Sequence, residues 1–185
     1  MCRYGQEYAD SLGLKNVIYT PCDFKAADLD QMGWRNRFDL VFSSITPAMN
    51  SLDSLWKSIE MSRGWCFQSN FIKAEDDLAD AVLSEVIPDI TRLERSPRIT
   101  YTLVNILWLK GYLPEVTYYT EESFRRENAE TLAESILKQA PEAYASDEIR
   151  RKMIEALNKR ADKDGMVERH STVTYSWVLW DTRKR

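Results

Sequence analysis

Three short apolar runs, separated by segments of helical character, constrain the fold of this chain more than any other feature of its sequence. They are residues 16–20, 38–43 and 65–71, and each one leads into small or polar residues. An amphipathic stretch over residues 52–61 lies between the second and the third run. Such alternation is typical of βαβ units, in which helices cover a parallel sheet. Ligands of these sheets bind at the carboxyl ends of the strands, so the residues at those ends are the first candidates for a site.

The second half of the chain continues with helices and closes with a long strand. Residues 98–109 are predicted as a helix and residues 114–119 as a strand. Thr120 and the two glutamates after it favour the start of another helix. Residues 167–180 are rich in Val, Thr, Tyr and Trp, which predicts a strand antiparallel to residues 114–119. The chain is therefore expected to be a single domain, with residues 121–163 as a helical insertion between the last two strands.

Composition excludes several classes of function. A chain of 185 residues with 44% hydrophobic and 29% charged residues fits one globular domain. A net charge of -4 argues against nucleic acid as a partner, because binding to phosphates needs a basic face. The sequence has no apolar run long enough to span a bilayer and no signal-peptide core. Its three cysteines lack metal-site spacing, so we expect a cytoplasmic protein with reduced thiols and no metal site.

The order of these elements resembles a class I S-adenosylmethionine (SAM) dependent methyltransferase, from the second helix of that fold to its last strand. The sheet of that family has the strand order 3-2-1-4-5-7-6, with strand 7 antiparallel. Strands 3 to 7 would be residues 16–20, 38–43, 65–71, 114–119 and 167–180. The resemblance implies an α/β fold with a Rossmann-like methyltransferase sheet, truncated at the N-terminus, and SAM as the cofactor.

The resemblance also assigns cofactor-binding residues. In this family an acidic residue after strand 3 accepts a hydrogen bond from the adenine amino group, and an apolar neighbour covers the ring. Asp23 and Phe24 stand at those positions, and Ser43 and Ser44, at the end of strand 4, would line the methionine part of SAM. Each residue also has an ordinary structural interpretation. Asp23 could cap a turn, Phe24 could belong to the core, and the two serines could satisfy loop backbone groups.

Three residues are candidates for binding the methyl acceptor. Met49 follows the end of strand 4 and would border the space for methyl transfer, as the resemblance implies. Tyr101 and Asn105 lie one turn apart on the helix over residues 98–109 and could face the substrate. A structural role for these two is the alternative. The sequence assigns no residue as a general base.

Two features of the family have no counterpart, namely the Gly-rich loop after strand 1 and the ribose-binding acid after strand 2. No two of the six glycines are close together. We therefore expect SAM to bind this chain weakly or not at all.

One interpretation of the chain's function is a methyltransferase for a small molecule, seen as a fragment or a mis-started chain. The alternative is a non-catalytic remnant that acts as a binding or interaction module, and a third, weaker one is another nucleotide-binding α/β protein.

The absence of strands 1 and 2 has a structural consequence. These strands lie between strands 3 and 4 in the family, so residues 16–20 and 38–43 would lose their neighbours. Unpaired strand edges are templates for pairing with another strand. We expect either residues 16–20 to move beside residues 38–43, or a second copy to supply the missing edge in a homodimer.

Overall fold

The computed structural model describes residues 2–88, 97–138, 140 and 144–184. Within them the chain forms six α-helices, four strands and one short 3-10 helix, Pro47–Met49. In chain order the elements are α1 (Cys2–Ser11), β1 (Phe38–Ser44), α2 (Leu52–Met61), β2 (Ser62–Glu75), α3 (Asp77–Val86), α4 (Arg98–Leu109), β3 (Glu115–Asn128), α5 (Ala129–Leu137), α6 (Asp147–Asn158) and β4 (Met166–Asp181). None of the helices in these described ranges is long and apolar enough to cross a membrane.

The four strands form one sheet with the order β1-β2-β4-β3. β1 and β2 are parallel, with Val41 opposite Cys66. β4 is antiparallel to both of its neighbours, with Trp180 opposite Cys66 of β2 and Val178 opposite Val116 of β3. These pairings confirm the predicted parallel pair and the predicted antiparallel arrangement of the last two strands. The mixed α/β fold class is likewise confirmed.

The prediction of a strand at residues 16–20 is wrong. This segment has no strand partner among the described residues, and Ile18 is 84% exposed. It bonds to α1 instead, since the Gln6 side chain donates to the Val17 carbonyl and accepts from the Tyr19 N–H. A strand requires a neighbour to take its backbone hydrogen bonds, and no described strand lies beside these residues. The segment therefore has not moved beside β1 either.

The prediction of a helix that begins after Thr120 is also wrong. β3 continues through this region for a total of 14 residues, and Thr120 pairs with Thr174 of β4. The helix begins only at Ala129, where the side chain of Asn128 accepts the N–H of Thr131. A long, regular ladder with β4 outweighs the weak preference of the glutamates for a first helical turn.

Two hydrophobic clusters stabilise the molecule, and β4 belongs to both. In the first, α2 and α4 pack on one face of the sheet around Leu107 and Trp180, which are almost fully buried. In the second, α3, α5 and α6 enclose Leu132 and Met153 against the beginning of β4 at Val167. Residues 139 and 141–143 of the predicted insertion lie outside the described residues, and the insertion itself stays a prediction.

An aromatic ladder runs across the other face of the sheet. The rings of Phe42 and Phe67 stack with their centroids 4.8 Å apart, and Trp177 meets Phe67 edge-on at 6.3 Å. Tyr119 of β3 stacks on Trp177 at 5.4 Å. The ladder therefore contains one ring from each of the four strands, in the order of the sheet. Phe42, at its β1 end, is 63% exposed.

Candidate functional site

A cleft opens at the carboxyl end of β1 and beside the middle of β2, between the 3-10 helix and the first turns of α4. It consists of an inner cavity of about 280 Å³ and an outer cavity of about 370 Å³. Both cavities are lined by Met49, Asn50 and Ile99, so they adjoin. The other described residues lining the inner cavity are Ser51, Leu52, Leu55, Gln68, Arg98, Thr102, Leu103 and Ile106. Those of the outer cavity are Ile45, Thr46, Pro47, Asn70 and Phe71.

Two amide side chains of β2 face this cleft. Gln68 is 3% exposed, and its Nε2 donates to Oδ1 of Asn70 over 3.2 Å. Nδ2 of Asn70 is buried and has no hydrogen-bond partner among the described residues. Leaving such a donor unpaired costs about 1–3 kcal/mol, so a buried amide of this kind requires an explanation. A bound molecule with a hydrogen-bond acceptor would satisfy it once the Asn70 side chain turned Nδ2 toward the cleft.

The backbone is strained at the mouth of the same cleft. Ile45 follows the last residue of β1 and has a φ of 46°, in the left-handed region. Its N–H still donates to the Ser69 carbonyl over 3.1 Å, so the residue is fixed to the sheet. A β-branched residue with this conformation is an outlier that costs about 1–3 kcal/mol, and such residues cluster at ligand sites.

Comparisons with known proteins identify the architecture. No family model and no curated protein matches the sequence. Among solved structures, a candidate methyltransferase from Bacillus halodurans C-125 superposes with a TM-score of 0.53 at 9% identity, over 98% of this chain and 78% of that one. The YcgJ protein of Bacillus subtilis superposes with a TM-score of 0.55 at 9% identity, over 98% of this chain and 77% of that one.

The chain has a class I methyltransferase-like fold. The observed strand order β1-β2-β4-β3 corresponds to strands 4-5-7-6 of that fold, with the antiparallel strand 7 in its place between 5 and 6. The cleft thus lies at the carboxyl end of strand 4 and beside the middle of strand 5. The likeness at this level of identity establishes the fold alone.

Of the residues predicted at the end of strand 4 in this methyltransferase fold, Met49 lines both cavities. Ser43 is half-buried, and its hydroxyl donates to the Phe67 carbonyl over 3.1 Å. Ser44 is exposed at the end of β1. Neither serine is among the described residues lining the cleft, and the cofactor role of both stays a prediction.

Asp23 and Phe24, predicted to hold adenine, lie away from the cleft lining. The Asp23 carboxylate accepts the backbone N–H of Lys25 over 3.0 Å, which closes a short turn. Lys57 of α2 donates to the Lys25 carbonyl, so this turn lies against the outside of α2. Neither Asp23 nor Phe24 is among the described residues that line the inner or the outer cavity. Their contact with adenine remains a prediction.

Tyr101 and Asn105 share a face of α4, as their spacing predicts. The Asn105 side chain donates to the Tyr101 carbonyl one turn earlier over 2.7 Å, and Tyr101 is 70% exposed. The described lining of the cleft takes Ile99 and Thr102 from this helix instead. A substrate role for Tyr101 and Asn105 therefore remains a prediction without a contact to the cleft.

Asn70 is the residue that sequence reasoning missed. Gln68 was recognisable as a polar residue near a predicted strand end, but β2 continues to Glu75. The same alternation that turns Gln68 toward the helices also brings Asn70 to the cleft, two residues further along. A search for polar residues at i and i+2 beyond an apolar run would have found it.

The described residues do not form a complete cradle for SAM. In the class I fold a Gly-rich turn lets the backbone approach the cofactor. The glycines with a positive φ here are Gly13, Gly33, Gly111 and Gly165, and none is among the described residues of the cleft. Gly64 allows β2 to pack closely against β1, because a Cβ at this position would lie 2.5 Å from the Asp39 carbonyl oxygen. No step of a reaction is therefore assigned to SAM here.

A further cavity, of about 380 Å³, is polar and lies at the carboxyl end of β2, against the middle of β3 and the first half of β4. Its most buried charge is Arg169, whose Nε donates to the Asp76 carboxylate over 2.6 Å. Another guanidinium nitrogen donates to the Ser135 hydroxyl of α5. These bonds hold α3 and α5 against β4, so we interpret this cavity as structural. No described group of His, Cys, Asp or Glu side chains is arranged to hold a metal ion.

Proposed function

We propose that this chain is a methyltransferase domain that binds a small-molecule methyl acceptor in the cleft at the carboxyl end of β1 and beside the middle of β2. One observation carries the proposal: the strained Ile45 and the unpaired amide of Asn70 line the same cavity. Either feature lowers stability by itself, so their coincidence at one cleft favours binding over packing. The methyltransferase-like fold supports methyl transfer as the proposed class of reaction.

The lining of the cleft indicates the chemistry of the acceptor. Both cavities are predominantly apolar, and Arg98 at the inner cavity is the one charged residue among the described lining residues. A mainly hydrophobic molecule fits this lining, with a carbonyl or similar acceptor that bonds to Asn70 when its buried Nδ2 turns toward the cavity. The side chains of Met49 and Ile99 would exclude water from it. We propose a neutral, partly aromatic or aliphatic compound of small size.

The methyl donor is proposed to be SAM, by analogy with the fold class alone. This chain would bind it weakly, because the described residues offer no Gly-rich turn at the cleft. The three cysteines are free, which suits a reducing cytoplasm as the proposed location.

A non-catalytic binding module is the second candidate, and the incomplete cradle for SAM favours it. Both candidates predict a ligand in the cleft, but only the first predicts methyl transfer. Incubation with SAM carrying a labelled methyl group, together with a compound that binds the cleft, separates them. Label transferred to the compound supports the enzyme, and binding without transfer supports the module.

Binding to the cleft can be tested with a set of neutral aryl ketones and lactams, followed by ligand-observed NMR. We expect members of the set to bind, and Asn70→Ala to weaken them about tenfold, as the loss of one hydrogen bond of ~1.4 kcal/mol implies. Asn158→Ala is the matched control, because Asn158 is exposed at the end of α6 and is not among the described lining residues. Equal affinity of both variants for every compound would contradict the proposed site.

A further inference from the structure

β3 presents an edge of the sheet that has no partner strand among the described residues. It ends the order β1-β2-β4-β3 and pairs with β4 along all 14 of its residues. It corresponds to strand 6 of the methyltransferase-like fold, which is the outermost strand on this side of that sheet. The helix after β3 leaves the edge open, because Ser135 of α5 accepts a bond from Arg169 of β4, inward from β3. The edge therefore does not depend on the strands that precede β1 in the family.

Every second residue of β3 presents its backbone groups to this outer edge. The N–H of Thr182 donates to the Gly64 carbonyl over 2.8 Å, so the even-numbered residues of β4 bond to β2. The odd-numbered residues of β4 therefore bond to β3, where Ser171 lies opposite Ser123. The even-numbered residues of β3 point their N–H and C=O groups outward. They are Val116, Tyr118, Thr120, Glu122, Phe124, Arg126 and Asn128.

The charges along β3 form a self-complementary pattern. Residues 121–126 read Glu-Glu-Ser-Phe-Arg-Arg, with the acids before the central Ser-Phe pair and the bases after it. When two such strands lie antiparallel, acids of one strand face bases of the other, and facing opposite charges stabilise a sheet. Charged side chains on an edge strand normally discourage pairing with other strands. Here the same charges favour a second copy of this chain over an unrelated strand.

We infer that a second copy of this chain pairs along this edge, with the two β3 strands antiparallel and Ser123 on the twofold axis. Glu121 of each copy then lies opposite Arg125 of the other, and Glu122 lies opposite Phe124. The ladder spans residues 118–128 of both copies and joins the two four-stranded sheets into one. About twelve interchain hydrogen bonds can form, two for each facing pair of residues whose backbone groups point outward.

Arg125 gains a partner through this contact. Within its own chain it lies opposite Arg169 of β4, and like charges at facing positions of a sheet are destabilising. Arg169 is already paired with Asp76, whereas Arg125 has no ion-pair partner in the part of the chain that the structure describes. Glu121 of the second copy would lie beside Arg125 and supply the missing carboxylate.

The exposed ring of Phe124 is accommodated by the same contact. Phe124 is 74% exposed and stacks on His170 of β4 with the ring centroids 4.3 Å apart. In the inferred register Phe124 lies diagonally across from Phe124 of the second copy, on the same face of the joined sheet. Aromatic side chains still reach each other at the ~7–8 Å that separates diagonal neighbours. The rings of Phe124 and His170 from both copies would thus form a row across the junction.

The nearest other registers place like charges opposite each other. A twofold axis at Phe124 sets Glu121 opposite Glu127, and an axis at Glu122 sets that residue opposite its own copy. An axis halfway between two residues is excluded, because backbone groups that point outward would then face groups that point inward. A single pair of strands is a small protein interface, so we expect a reversible dimer with a dissociation constant on the order of 10 µM.

Sedimentation velocity of the full chain between about 1 and 200 µM tests the dimer, because this range brackets such a constant. We expect a monomer–dimer equilibrium that Glu121→Arg and Arg125→Glu each weaken at least tenfold, since each makes two attractive contacts repulsive. Glu7→Arg is the matched control, because it makes the same change of charge at an exposed position of α1. A monomer throughout the range, or a dimer that both variants leave intact, would overturn the inference.

A mixture of the two charge variants distinguishes a lost ion pair from a damaged fold. The Glu121→Arg chain has bases at positions 121 and 125, and the Arg125→Glu chain has acids at both, so a mixed pair restores both attractions. We expect the equimolar mixture to dimerise at least tenfold more tightly than either variant alone. Circular dichroism checks that each variant is folded. Two folded variants that remain monomeric when mixed would contradict the inference.

Disulfide cross-linking tests the register and leaves the charges of β3 unchanged. Ser123 would form a non-hydrogen-bonded pair with its own copy, whose Cα atoms lie about 4.5 Å apart, which suits a disulfide. Ser123→Cys should therefore cross-link two copies under mild oxidation. The background needs Cys2→Ser and Cys22→Ser, whereas Cys66 is buried and stays.

Thr120→Cys in the same background is the control and should not cross-link to itself, because it faces Arg126 of the other copy. No cross-link from Ser123→Cys, or efficient self-cross-linking of Thr120→Cys, would refute the register. None of the substituted residues is among the described residues that line the cleft, so failure here is distinguishable from failure of the proposed function.

Discussion

At the scale of single residues, the conformation of Ile45 lowers stability at a position where we propose that a ligand binds. Its left-handed φ of 46° costs about 1–3 kcal/mol in a β-branched residue, whereas glycine adopts it freely. We expect Ile45→Gly to raise the free energy of unfolding by about 1 kcal/mol, after the entropic cost of glycine, ~0.5–1 kcal/mol, is subtracted. Urea denaturation measures this change.

Ile18→Gly provides the control for that substitution. Ile18 is more exposed than Ile45 and is not among the described residues with a positive φ, so glycine there should be neutral or slightly destabilising. A loss of stability in Ile45→Gly would mean that the packing of its side chain outweighs the strain. Binding of the aryl compounds should weaken in Ile45→Gly even as stability increases.

The buried Cys66 thiol makes the free energy of unfolding depend on pH in the alkaline range. Burial raises the pKa of the Cys66 thiol from 9.0 to about 12. The unfolded chain loses this proton near pH 9 and the folded chain does not, so ionisation favours unfolding above that pH. We expect a contribution to stability that is complete below pH 9 and declines as the pH rises from 9 toward 12.

Thiol titration and alkaline unfolding check the role of Cys66. At pH 8 the exposed Cys22 should react with an aromatic disulfide reagent, and Cys66 should react only after unfolding. Cys66→Ala should remove part of the loss of stability between pH 9 and 12, while Cys22→Ala should leave it unchanged. Rapid modification of Cys66 in the native protein would show that the first hydrophobic cluster opens readily.

At the scale of secondary-structure elements, one carboxylate joins α3 to the sheet. Asp76 caps α3 by accepting the Ala79 N–H over 2.9 Å, and its other oxygen binds the largely buried Arg169 of β4. We expect Asp76→Ala to lower the free energy of unfolding by about 3–5 kcal/mol, because it leaves a buried charge without its partner. Loss of the cap contributes about 1 kcal/mol of this.

Two comparisons test this role of Asp76 by thermal and urea unfolding. Asp77→Ala, at an exposed position in the same turn, should cost less than 1 kcal/mol. The double variant Asp76→Ala with Arg169→Met should be more stable than Asp76→Ala alone, since the unpaired charge is gone. If the double variant is no more stable, the loss must come from the cap and not from the ion pair.

Elements with a strong internal pattern were predictable from the sequence, and those defined by a neighbour were not. The helix over residues 98–109 and the strand at residues 38–43 are amphipathic or apolar in themselves. The extension of β3 over residues 121–128 depends on the partner strand β4. Residues 16–20 resemble a strand in composition but have no described neighbour to pair with.

The candidate site likewise contains residues that were predictable from the sequence and residues that were not. Met49 was predictable because it follows a strand end, and the rule about strand ends needs only the order of the elements. The unpaired amide of Asn70 and the positive φ of Ile45 arise from tertiary packing, which no local pattern encodes. Tyr101 and Asn105 have the spacing of a shared face, but spacing alone does not say which face of α4 meets the cleft.

At the scale of the whole molecule, the methyltransferase-like fold lacks a complete binding site for SAM among its described residues. We expect calorimetry to give a dissociation constant for SAM in the millimolar range or weaker. Several polar contacts of ~1 kcal/mol each are absent, which accounts for a loss of that size. A micromolar constant for this chain would contradict this expectation, and an effect of Asp23→Ala would then return Asp23 to the site.

The place of β4 in the sheet has a consequence for synthesis on the ribosome. β4 lies between β2 and β3, although it follows both along the chain, and Cys66 of β2 faces Trp180 of β4. A nascent chain that has already produced β2 and β3 cannot complete the sheet until β4 emerges. In that interval the edges of both strands are bare, since domains fold as their segments become available. Chaperones that shield exposed strands should therefore engage the nascent chain once β2 and β3 have emerged and release it when β4 inserts.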